Sequence, residues 1–285
     1  MILETFNKLI HLPNKIFSPI KIKNFELRQK FKKDGYIHYR NDPSYEKLIK
    51  KINIEVEKID LDKIAKNAIE KNPKSYSIDI ISYLNDDTKK DIDDYFSHYK
   101  LENAETLLGY KLVMRRMILL YNFFNPNSFQ DDGPKMYHRD SDTLQDQLKV
   151  FILLNDIDED NGMFYFVSKQ NIKPNLSITP SDHRKKMDVN NKWRIDDKFI
   201  KIASNNNINR LNGNSGEALY IDTGNCYHKG GFIKQKNKFR LMLISNYTPK
   251  YSLSNWNKHK SKILTFLQRK LTSLQYKLTK KINLN

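Results

Sequence analysis

The feature that most restricts the fold lies between residues 110 and 250. Five runs there are short and rich in aromatic and β-branched residues: YKLVMRRMILLYNFF (110–124), QLKVFILL (147–154), MFYFV (163–167), GEALYID (216–222) and FRLMLISNY (239–247). Asn, Asp, Gly and Pro separate them, so each reads as a strand. Several short strands split by turn signals predict a barrel or jelly roll. DIDEDNG (156–162) contains Asn161-Gly162 and reads as a hairpin turn between VFILL and FYFV. It is a poor calcium loop, because its glycine falls one place late and Val167 stands where the twelfth-position Glu belongs. Residues 170–214 are polar and Asn-rich and read as a long excursion between strands.

Helices are expected on both flanks. PSYEKLIKKINIEVEKIDLDKIAKNAIEK (43–71) places Leu48, Ile52, Val56 and Ile59 at helical spacing. Asp86 is positioned to cap a further helix, and Gly109 to end one over 102–109. In the tail, Ile263, Leu267, Leu271, Leu274 and Leu278 share one helical face, and 250–285 holds no acidic residue. That stripe suits either a membrane surface or docking on the barrel with a lysine-coated outer face. The expected organisation is a single domain, 1–285: a helical region 1–109, a jelly-roll core 110–250 and a basic helical tail 251–285.

The formal net charge is +17. It points to an anionic partner, or to the drift of a Lys-, Asn- and Ile-rich composition. Lysine far outnumbers arginine, which does not favour nucleic acid, because the planar guanidinium is the better match to phosphate. Fifteen Phe and 16 Tyr argue against disorder. No apolar run reaches membrane-spanning length, and MILETFNKLIHLP does not read as a signal peptide. Cys226 is the one cysteine, so no internal disulfide forms, and a cytoplasmic location is expected, with peripheral membrane contact through the tail as an option. No GKS or GKT sequence supports nucleotide hydrolysis.

Chemistry centres on KMYHRDSD (135–142). His138 and Asp140 are two residues apart, so in an extended chain they point to the same side. His228, after ALYID and before Gly230-Gly231, is the third candidate. Two histidines and one carboxylate make the facial triad of non-heme Fe(II) oxygenases, which leaves coordination positions open for a chelating co-substrate and dioxygen. Arg240 follows in an alternating run. Taken alone it reads as an outward-facing cation; pointing inward it would need a carboxylate, such as the far one of 2-oxoglutarate. Lys149 faces either the pocket, where it would help bind the co-substrate, or solvent. Asn122 is a further candidate for lining the site. Cys226 reads as a small packed residue rather than a ligand.

The order YHRDSD, LKVFILLNDIDEDNGMFYFVSKQ, GEALYIDTGNCYHKGG, FRLMLISNY resembles the phytanoyl-CoA dioxygenase-like family of Fe(II)/2-oxoglutarate oxygenases over about residues 110–250. The resemblance implies a double-stranded β-helix, a cupin-like jelly roll that is mainly β with flanking helices. It implies Fe(2+) on His138, Asp140 and His228, 2-oxoglutarate on Arg240, and dioxygen as second co-substrate. The implied activity is hydroxylation or a related oxidation of a C–H bond in a small or anionic substrate, with release of succinate and carbon dioxide. Halogenating relatives lack the carboxylate that Asp140 supplies. Tyr137 departs from the tryptophan often found before the first histidine. A floor of Phe151, Leu153 and Phe166 is expected to keep water from the metal. The rival functions are a cupin-like hydrolase or isomerase and a non-catalytic basic lipid- or nucleic-acid-binding module.

Overall fold

The computed structural model describes residue 20 and residues 24–40, 45–128, 135–140, 147–172, 184–187 and 192–250. The expected tail helix over 251–285 lies outside them, as does part of the excursion.

The chain runs α1 (Phe25–Asp34), β1 (Tyr36–Tyr39), α2 (Glu46–Val56), α3 (Leu61–Lys71), β2 (Ser77–Asp79), α4 (Asp86–Asp94), a π-helical turn (Tyr95–Lys100) and α5 (Leu101–Leu108). The core follows as β3 (Leu112–Phe123), β4 (Leu148–Leu153), β5 (Phe164–Phe166), β6 (Arg184–Met187), β7 (Lys192–Ile195), α6 (Asp197–Ala203), β8 (Asn209–Leu211), β9 (Ala218–Asp222), β10 (His228–Gly230) and β11 (Phe239–Pro249). A six-stranded antiparallel sheet has the order β1-β9-β4-β11-β3-β2. A three-stranded sheet, β10-β5-β8, faces it, and β6 and β7 pair as a hairpin. Two antiparallel sheets enclosing a common core, with helices on the outer face of the larger, make the jelly roll expected from the strand pattern.

The large sheet is covered on both faces, and alternation decides which residue serves which layer. Leu148, Val150 and Ile152 of β4, Ala218 and Tyr220 of β9, and Leu241, Leu243 and Tyr247 of β11 join the helices in one core. Phe151, Leu153, Leu219, Ile221, Met242 and Ile244 point the other way, into the barrel, and meet Phe164 and Phe166 of the small sheet. Double coverage is why these strands read as near-continuous apolar runs rather than as clean alternation. The expected floor residues Phe151, Leu153 and Phe166 all belong to this inner cluster.

The helices obey local rules. α2 buries Leu48, Ile49, Ile52 and Val56 along one stripe. Asp60 caps α3 through Lys63 N at 2.9 Å, which splits the 43–71 pattern into two helices. α4 begins one residue earlier than expected: Asn85, not Asp86, is the cap, accepting from Thr88 N at 2.7 Å. Gly109 ends α5 in the left-handed region at φ 86°. Gly35 does the same for α1 at φ 80°, and a Cβ there would sit 2.4 Å from Cys226 Sγ.

Three expectations are corrected. The front region is not purely helical: β1 pairs with β9 and β2 with β3, so it supplies both edges of the large sheet. The 156–162 loop is not a hairpin, because β4 lies in the large sheet and β5 in the small one. It crosses between sheets, and its polar residues cap its own backbone: Asp158 N donates to Asn161 Oδ1 at 2.6 Å, and Asn161 Nδ2 donates to Asp156 O at 2.8 Å. The 170–214 excursion carries β6, β7, α6 and β8 rather than an unbroken loop.

Candidate metal and co-substrate site

The two histidines are placed by backbone pairing across the small sheet. His138 N donates to His228 O at 3.0 Å and His228 N to His138 O at 2.9 Å, extending β10 by one partner. Directly opposed residues project side chains to the same face, and the two rings lie 4.4 Å apart. Two residues on, Asp140 N is held by Thr223 O at 2.8 Å. The side chains of His138, Asp140 and His228 therefore converge, one ligand atom from each lying within 4.8 Å of the others.

The ring orientation is fixed by main chain. His138 Nδ1 bonds to Met136 O at 2.9 Å and His228 Nδ1 to Cys226 O at 3.1 Å. A carbonyl only accepts, so each Nδ1 carries the proton and each neutral ring keeps its lone pair on Nε2. Those Nε2 atoms face Asp140, at 3.9 Å from Oδ1 for His138 and 3.6 Å from Oδ2 for His228. Burial alone would push the Asp140 carboxyl up. The Lys149 ammonium outweighs it and holds the group far below the usual carboxylate range, so it is ionised. Lys149 Nζ lies 2.7 Å from Oδ2, yet Oδ2 is buried without a hydrogen bond of acceptable geometry.

Alternation settles the side chain of Lys149: it shares the inner face of β4 with Phe151 and Leu153. Arg240 is also inward and buried. Its Nε donates to Asn122 Oδ1 at 3.1 Å, directly across the β11–β3 ladder, and its Nη1 donates to Gly162 O. Burial pushes the guanidinium down to about 10, which leaves it a cation at neutral pH. Among the described residues no carboxylate pairs with it. A buried cation without a counter-ion costs several kcal/mol, so the position suits an anion beyond the described residues.

Asn122, His138, Lys149, His228 and Arg240 line one cavity of about 300 Å³ between the sheets. Asp140 closes onto its histidines and lysine. All six candidates from the sequence thus meet in one place. The sequence reading passed over Arg116, Ile118, Leu120, Met242, Ile244 and Asn246, which line the same cavity. Counting by twos from Arg240 along β11 finds Met242, Ile244 and Asn246; the register of β3 then supplies the others. Cys226 is no ligand. It packs against Gly35, and burial pushes its thiol up to about 12.

No family model and no curated protein sequence matches the chain. Solved structures do. EctD from S. alaskensis with bound Fe is 17% identical, with 84% of this chain and 79% of that chain covered and a TM-score of 0.51. AviO1 from Streptomyces viridochromogenes Tue57 is 11% identical, with 82% and 98% covered and a TM-score of 0.50. At these identities the likeness is one of fold, and it agrees with the jelly roll built above.

Proposed function

We propose that the chain is an Fe(II)- and 2-oxoglutarate-dependent oxygenase that oxidises a C–H bond of a small substrate. The observation that carries this reading is the coincidence, in one cavity, of a His-Asp-His cluster and a buried arginine that no carboxylate among the described residues meets. Either alone is a weaker signal. Among the described residues the cluster has three donors and no fourth, which suits an open catalytic site better than a closed structural zinc site, and the two imidazoles with one carboxylate suit ferrous iron. EctD, of the same fold, has been crystallised with iron.

The residues present fit the group. His138 and His228 offer Nε2 lone pairs in rings fixed by carbonyl bonds, and Asp140 offers an ionised carboxylate whose Oδ2 lacks a good hydrogen bond. When bound, iron with 2-oxoglutarate and dioxygen supplies the oxidising power, yielding succinate and carbon dioxide. Arg240, oriented by Asn122, meets the distal carboxylate of the co-substrate as a charge-assisted pair. Phe151, Phe164, Met242 and Ile244 present carbon to the cavity and keep water out. Lys149 keeps Asp140 ionised. The carboxylate at 140 takes a position that halogenating relatives leave to halide, so oxygen transfer is favoured. A cupin-like hydrolase or isomerase that takes no 2-oxoglutarate has no use for a co-substrate arginine at 240.

The test is succinate formation from 2-oxoglutarate by the iron-loaded protein without added substrate. Slow turnover that drops at least tenfold in Arg240→Met at subsaturating 2-oxoglutarate supports the reading. No succinate from wild type, or turnover indifferent to Arg240, removes it.

A further inference from the structure

We propose that the end of the cavity farthest from Arg240 is a second anion subsite, formed by Arg116, Asn246 and Lys149. It selects a substrate bearing a carboxylate or phosphate with a hydroxyl or amine close by. This rests on the oxygenase reading and names the substrate class of that same site.

The subsite follows from register. Asn246 of β11 stands directly opposite Arg116 of β3 on one side and Lys149 of β4 on the other. All three line the cavity. With strands about 4.8 Å apart, they form a row about 10 Å wide. The Arg240 Cα lies six residues back along the same strand, about 20 Å from the Asn246 Cα at 3.4 Å per residue. The rows between are apolar: Leu120 beside Met242, then Ile118, Ile244 and Phe151 side by side. The inner surface is thus cationic at both ends and greasy in the middle.

One polar end accounts for the co-substrate. The other has two cations and a carboxamide. Lys149 is bound to Asp140, so this row abuts the metal ligands. Arg116 is mostly exposed and holds Asp79 Oδ2 only loosely, at 3.6 Å. Asp79 Oδ1 is meanwhile occupied by Ile81 N at 3.2 Å and Leu119 N at 3.1 Å. A guanidinium has five donors, so Arg116 keeps capacity for an anion entering from solvent. Asn246 supplies the complement: its Oδ1 is buried and has no hydrogen-bond partner among the described residues. An unmet buried acceptor is costly and calls for a donor. An anion with a neighbouring O–H or N–H answers both needs, and its carbon skeleton then lies along the apolar rows beside the triad.

The experiment is calorimetric titration of full-length protein, preloaded anaerobically with Fe(II) and 2-oxoglutarate, with propionate, 3-hydroxypropionate and methyl phosphate. At least one anion is expected to bind, roughly tenfold more weakly in Arg116→Ala and largely restored in Arg116→Lys. The hydroxyl of 3-hydroxypropionate should strengthen binding to wild type but not to Asn246→Leu. The carboxylate and phosphate arms identify the anion. No binding of any probe, or binding that Arg116→Ala and Asn246→Leu both leave unchanged, overturns the subsite. The visible charge-transfer band of the loaded protein separates the two levels: a band without probe binding removes this subsite alone, and no band in wild type removes the oxygenase reading and the subsite with it.

Discussion

The two faces of the large sheet are built from the same strands and do opposite things. On the helix side of β11, Leu241, Leu243 and Tyr247 join the hydrophobic core under the helices. One residue out of phase, Arg240, Met242, Ile244 and Asn246 face the cavity. The first set packs carbon on carbon, and the Tyr247 hydroxyl donates to Phe96 O at 2.8 Å; Ser245, on the same face, buries a hydroxyl with no partner among the described residues. Among the described residues, the second includes a buried cation that no acid meets and a buried acceptor that no donor meets. A chain selected only for stability would replace such groups with carbon, since a well-packed apolar residue is often the more stable choice. A buried guanidinium in one cavity with a cluster of metal-ligand type is what separates the cavity face from the packing face.

The comparison can be broken by mutation. The largest expected effect is on the cavity side: His228→Ala should lower iron affinity by more than about 100-fold, above what changes to supporting residues cost, as read by metal analysis after dialysis. Folding should survive, because the backbone pairing at 228 does not need the imidazole. Next comes the packing face. Leu243→Ala should cost about 2–5 kcal/mol of unfolding free energy in urea while leaving iron affinity intact. Arg240→Met inverts that pattern: 2-oxoglutarate affinity falls at least roughly tenfold, the loss of one charge-assisted contact, with stability within about 1 kcal/mol of wild type or above it. Equal losses of stability and affinity in Leu243→Ala and Arg240→Met would erase the distinction between faces. The smallest effect concerns Cys226. Because burial pushes its thiol to about 12, the native protein at pH 8 should resist iodoacetamide and react with one equivalent only in urea.

Sequence alone revealed the core strands because their aromatic and β-branched runs are long enough to carry a signal. β3, β4, β5 and β9 fall within the runs that mark them, and β11 outruns its own by two residues. It did not reveal β1 or β2. YIHY and SID are three or four residues long and are strands only because β9 and β3 offer edges to them; the partners of β1 are more than 170 positions away. The crossover at 156–162 was misread for a related reason. Turn residues report that the chain turns, not which sheet it enters next. Asn85 and Asp86 are adjacent and both able to cap, so composition could not choose between them. In the site, spacing brought His138 and Asp140 together, but the pairing with His228 is a backbone ladder that no local pattern encodes. Lys149 was undecided until the register of β4 placed it beside Phe151. Asn246 escaped notice because an unmet hydrogen bond exists only once the neighbours are known.

The central claim is that His138, Asp140 and His228 hold one ferrous ion beside a co-substrate anchored at Arg240. Anaerobic titration of the apoprotein with Fe(II), then 2-oxoglutarate, tests it most directly. The account predicts a weak visible charge-transfer band at one equivalent of iron, present in wild type, absent in His228→Ala, and requiring more 2-oxoglutarate in Arg240→Met. A wild-type protein that binds no iron, or a band that persists in His228→Ala, would contradict it.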